Sequence, residues 1–123
     1  MDILLMDVEP NCGMNDILKE RIHSFLDTYF AILPKGKIIY FSRYKVGEDV
    51  YKIEQEKLRL FYYQFIPKVI KEYQEKGFDI SYVDGSQIIS ENELEFSPDA
   101  LHPDSYGLNL IANKYIRELK NII

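Results

Sequence analysis

The sequence predicts an α/β fold in three layers: a parallel, flavodoxin-like sheet with helices on both faces. Two observations predict it. Short apolar runs at 2–8, 37–42 and 78–85 read as strands, and three longer stretches with apolar residues three and four apart read as helices. The two kinds alternate, which implies right-handed crossovers and strands that all point the same way. With 123 residues, the chain suits one domain spanning 1–123, and it shows no internal repeat, low-complexity segment or linker.

The first strand, "DILLMDV" (2–8), is apolar almost without a break, which fits a strand covered on both faces. "EPNCGMN" follows as turn chemistry. Asn15 is placed to cap the first helix. Its apolar stripe is Leu18, Ile22, Phe25, Leu26, Tyr29, Phe30 and Leu33, and Pro34 and Gly36 end it. "KIIYFS" (37–42) is the second strand, and "RYKVGEDVY" is a loop.

A second helix over 53–76 points Leu58, Phe61, Phe65, Val69, Ile70 and Tyr73 inward. Pro67 should kink it, because proline lacks a donor and clashes with the preceding turn. Gly77 is a natural stop. "FDISYVDG" (78–85) is the third strand. Asp104 or Ser105 caps a last helix through Leu108, Ile111, Ala112, Tyr115, Ile116 and Leu119.

Composition narrows the function classes. Hydrophobic residues make up 46% and charged residues 28%, a globular balance, and ten Tyr with seven Phe and no Trp predict an aromatic core. A net charge of -5 argues against nucleic acid, which needs a concentrated basic face. Lys52, Lys57, Arg59, Lys68 and Lys71 are interleaved with Glu and read as a solvated helix face. The single cysteine, Cys12, excludes an internal disulfide and an all-cysteine metal site. The opening "ILLM" is too short for a leader and no run reaches membrane-spanning length, so a cytoplasmic setting is expected.

In parallel sheets chemistry gathers at the carboxyl ends of the strands, which here means the loops 9–14, 43–52 and 84–104. Asn11 and the pair Asp99–His102 are therefore expected on one rim. A histidine works as a base near neutral pH, and a carboxylate on its Nδ1 fixes the tautomer and stabilises the imidazolium. The plain alternative for D-x-x-H is a polar loop before a helix. An asparagine just past a buried strand can donate to a developing oxyanion, worth roughly 3 kcal/mol of barrier. Asparagine is also a common turn former.

Cys12 could act with His102, but a lone thiol is more often a small packed side chain. His23 reads as a boundary residue, and no second histidine stands at ligand spacing, so neither a metal nor a cofactor is expected. Glu91, Glu93 and Glu95 read as water-facing. There is no Gly-rich phosphate loop and no G-x-S-x-G elbow.

"DALHPDSYGLNLIANKYI" resembles the last block of SGNH (GDSL-type) hydrolases, where D-x-x-H-P precedes a glycine and a helix. "LLMDVEPNCGMND" resembles the block that supplies an oxyanion-hole asparagine, in the branch where it reads P-N. The resemblance implies a triad Asp at Asp99, a triad His at His102 and an oxyanion donor at Asn11, with Asn15 as second choice. It covers only the later part of a family member, from its third strand onward. None of the serines (24, 42, 81, 86, 90, 97, 105) stands in the nucleophile's G-D-S context, and Ser42 is nearest in kind.

The resemblance thus implies the C-terminal part of a serine esterase acting on small acyl, acetyl-type esters, inactive as an isolated chain. It also implies an open apolar edge at strand 2–8, which an upstream segment on another polypeptide or a second copy of the chain would cover. The rival is a catalytically inactive α/β interaction module that pairs through that edge. A third reading is a flavodoxin-like ligand-binding domain, marked by an Asn11 far from His102.

Overall fold

The computed structural model describes residues 2–12, 15–46, 49, 52–88 and 105–123. Along the chain come β1 (Ile3–Met6), the single helical turn α1 (Glu9–Cys12), α2 (Ile17–Ile32), β2 (Lys37–Phe41), α3 (Ile53–Glu75), β3 (Asp79–Val83), a 3₁₀ turn (Gly85–Gln87) and α4 (Ser105–Ile122). The strands form one parallel sheet in the order β1-β2-β3. The fold is the α/β arrangement that the alternating pattern predicts. Register is set by apolar alternation, with Leu4 opposite Ile38 and Ile38 opposite Ile80. At the amino ends the registered pair Lys37 and Asp79 also forms an ion pair at 2.9 Å.

Because side chains alternate along a strand, each face of the sheet carries its own core. Met6, Ile38, Tyr40 and Ile80 face α2 and α3, packing with Leu18, Ile22, Leu26 and Phe30 of α2 and Tyr62, Ile66, Val69, Ile70 and Tyr73 of α3. Aromatic rings fill this layer, with Phe30 stacked on Phe78 at 4.4 Å between centroids. Ile39, Phe41 and Val83 face the other way, against Ile88 and against Ile111, Tyr115 and Leu119 of α4. β2 is therefore buried on both faces.

Helix ends follow local chemistry. The Asn15 side-chain oxygen accepts the Ile17 N–H at 2.8 Å, so Asn15 caps α2 from one residue further out than the usual position. α3 ends at Gly77, whose φ of +91° is one that side-chain-bearing residues avoid. There the Gly77 N–H bonds the Gln74 carbonyl at 3.0 Å and the Phe78 N–H bonds the Tyr73 carbonyl at 3.1 Å. Phe78 closes over Tyr73, completing a Schellman stop. α3 runs as one continuous helix through Pro67.

Three expectations need correction. Phe61 of α3 is 42% exposed, while Tyr62 and Ile66 are buried. The inward stripe is shifted by one residue over the first half of α3, where Tyr62 donates its hydroxyl to the Asn15 carbonyl, while Val69, Ile70 and Tyr73 point inward as expected. Phe25 and Ile116 are likewise exposed, since each lies at the flank of its helix's apolar stripe, and Leu108 is exposed in the first turn of α4 although it shares the stripe of Tyr115 and Leu119. β1 is not covered on both faces: Ile3 is 41% and Leu5 52% exposed on the face shared with Ile39. Among the described residues β1 and β3 are the two edge strands, and α4 lies over β2 and β3 rather than β1.

Candidate functional site

The carboxyl ends of the three strands converge on one rim. After β1 the chain passes Asp7 and Val8 into α1, where the N–H groups of Asn11 and Cys12 both bond the Val8 carbonyl, at 3.1 and 2.7 Å. Within this turn the polarity is inverted. Glu9 points in and is only 3% exposed, while Pro10 and Asn11 point out. The Glu9 carboxylate accepts the Tyr40 hydroxyl at 2.6 Å and the Arg43 N–H at 3.3 Å, tying the end of β1 to the end of β2. Burial pushes the Glu9 carboxyl above its ordinary range, an effect only partly offset by these two donors.

The loop after β2 is braced by a buried ion pair. Arg43 meets Asp49 through two parallel bonds, Nη1 to Oδ2 at 2.8 Å and Nη2 to Oδ1 at 2.9 Å. The Val46 N–H and the Gln55 side chain also donate to Asp49, at 2.8 and 3.1 Å. Burial works against the Asp49 carboxylate, but Arg43 and these donors outweigh it and hold its pKa below the usual carboxylate range. Both charges are satisfied internally, so the pair is a brace rather than an anion site.

Ser42 is buried at the end of β2, and its Oγ accepts the Gly85 N–H at 2.6 Å. A Cβ on Gly85 would run into the Ser42 carbonyl, so only glycine allows the two strand ends to approach this closely. Asp84 opens the turn after β3, accepting from the Ser86 N–H and from the Tyr63 hydroxyl, each at 2.9 Å. On the α4 side, Asp7 lies among Tyr44 and Tyr115. Burial raises both phenols, and the charge of Asp7 raises them further. Burial raises Asp7 itself as well.

Of the residues singled out from the sequence, Asn11 stands exposed in the α1 turn that follows β1 on this rim. Asp99 and His102 lie outside the described residues, as do Glu91, Glu93 and Glu95. Asn15 is taken up by its cap and by accepting the Tyr62 hydroxyl. Cys12 is partly buried against the α2 and α3 core. His23 sits at the boundary, its Nε2 3.2 Å from Glu72 Oε2 and its ring beside Phe65 and Tyr73. Among the described residues no cluster of His, Cys, Asp or Glu could hold a metal ion, and no helix is long and apolar enough to cross a membrane.

Sequence reasoning missed the rim's polar frame of Glu9, Arg43 and Asp49. The available signal was weak: a lone acid between a buried strand and a Pro-Asn turn, and an Arg six residues before an Asp. No protein-family model matches the chain, and neither the curated proteins nor the solved structures yield a match to it.

Proposed function

We propose that the chain carries the acid–base part of an SGNH-type serine esterase site acting on small acyl, acetyl-type esters. In this reading His102 takes the proton from the nucleophile and returns it to the leaving alcohol. Asp99 holds the imidazole in its working tautomer and stabilises the imidazolium, and Asn11 donates to the oxyanion. None of the seven serines matches the nucleophile block, so the serine comes from a segment outside these residues. The observation that supports the reading best is the place of Asn11, exposed at the carboxyl end of a strand in a parallel sheet. The chain that runs on toward Asp99 and His102 leaves β3 at the same end.

The test is hydrolysis of a chromogenic acetyl ester by the chain joined to the segment encoded immediately upstream. The expected result is turnover that His102→Ala abolishes and Asn11→Ala lowers by about a hundredfold. No turnover in the joined protein overturns the reading.

A second reading has its own observation. Ile3 and Leu5 are exposed on an edge strand, an arrangement that recruits another polypeptide. On that reading the chain is an α/β interaction module without catalysis, and the edge is covered by an upstream segment on another chain or by a second copy. Stable association without ester hydrolysis would favour it.

A further inference from the structure

We propose that Glu9 is the positioning residue for Asn11, holding the α1 turn in place through a carboxyl clamp between Tyr40 and Arg43. The use of Asn11 as an oxyanion donor rests on the function proposed above, but the clamp does not.

The turn cannot hold itself. A four-residue helix forms too few hydrogen bonds to offset the ordering of its backbone. Among the described residues, its backbone bonds besides its own are those of Asn11 and Cys12 to Val8, inside the same short loop. Asn11 is exposed, so packing of its own side chain does not fix it. Cys12 packs against the α2 and α3 core at the far end of the turn, and the hydrogen-bonded link to the sheet is the Glu9 side chain, buried and bonded to a β2 side chain and to the first backbone N–H beyond Ser42.

The anchor points are themselves rigid. Tyr40 is a fully buried residue of the central strand, and Arg43 is locked by its paired bonds to Asp49. A chain of contacts therefore runs from Asn11's turn through Glu9, Arg43 and Asp49 to Gln55 in the first turn of α3. A donor aimed at a developing charge is effective only when it is held before the reaction, and this frame supplies that restraint. The charged and titratable groups around the Glu9 carboxyl are Tyr40, Arg43 and Asp7, and the phenols of Tyr62, Tyr82 and Tyr115 also feel its charge.

Backbone ¹⁵N relaxation on this chain tests the clamp directly. The Asn11 order parameter should be about 0.85 in the wild type and below about 0.6 in Glu9→Ala, with α3 unchanged. Glu9→Gln should stay near the wild-type value, because its carboxamide can accept from Arg43 and donate to the Tyr40 oxygen. Tyr40→Phe, which keeps the ring in the core, should fall between, and it decides the matter if Glu9→Ala does not fold. An Asn11 that stays near 0.85 in both Glu9→Ala and Tyr40→Phe, or that is already below 0.6 in the wild type, overturns the proposal. The readout needs no substrate, so it stands or falls separately from the search for esterase activity.

Discussion

The two faces of this sheet are built from the same three strands and covered in different ways. On the α2 and α3 side, every sheet residue from Leu4 and Met6 to Ile80 and Tyr82 joins one continuous core. On the α4 side the core is confined to β2 and β3, and Ile3 and Leu5 of β1 stand uncovered. The difference teaches that an apolar run marks a strand but does not say what lies over it. The crossover helices α2 and α3 cover one face of all three strands, and the second cover, α4, reaches β2 and the other edge strand β3 but leaves β1 without it.

The largest expected effect tests the denser face. Phe30→Ala removes a buried ring that stacks on Phe78 and packs beside Tyr73 and Tyr29, and should cost about 3–5 kcal/mol in urea unfolding. Ile111→Ala on the α4 side should cost less, about 2 kcal/mol, because its surroundings are thinner and can collapse. Equal losses at the two sites would erase the contrast.

Next in size is the rim, which joins the two faces. Arg43→Ala removes the paired guanidinium from the buried Asp49 carboxylate, leaving the neutral Val46 and Gln55 donors and the Arg59 charge, and should cost about 3 kcal/mol at neutral pH. The pH dependence carries a sign that separates the two buried acids. Asp49 has a folded pKa below its ordinary 3.8, so its contribution is complete above that value and is lost as pH falls through the lower folded one. Glu9 has a folded pKa above its ordinary 4.5, so the folded state holds the extra proton, and stability declines as pH rises through that window. Unfolding curves between about pH 2 and 8 should therefore show a shallower fall below 3.8 in Asp49→Asn and a smaller decline above 4.5 in Glu9→Gln. The same sign for both variants would contradict the arrangement at the rim.

How much of this was legible follows from which forces leave a one-dimensional trace. Apolar runs and helical spacing announced all three strands and three main helices, since burial of a face repeats along the chain. Phase was harder. Phe61 and Tyr62 are adjacent and both aromatic, and the choice between them was made by a hydroxyl bond to Asn15, 47 positions away. Gly77 was readable because a helix stop needs a local left-handed residue. Glu9 was not readable, because its partners Tyr40 and Arg43 come from another strand, and an acid before a Pro-Asn turn looks solvated. Of the candidate site, Asn11 lies in the turn that follows β1, while the frame around it depends on contacts no local pattern encodes.

The smallest effect is the one that bears most directly on the uncovered face. Leu5→Lys puts a charge on the α4 side of β1, next in register to the fully buried Ile39. If that face is open to solvent, the lysine extends into water, and unfolding free energy should change by no more than about 0.5 kcal/mol. The same substitution on a covered strand would bury an unpaired ammonium and cost several times as much. Any concentration-dependent rise in mass by light scattering should also fall, since a lysine on an edge strand opposes strand addition. A loss above about 1 kcal/mol at a concentration where the chain is monomeric would mean that part of this chain covers Leu5. The two faces would then be more alike than the exposure of Ile3 and Leu5 implies.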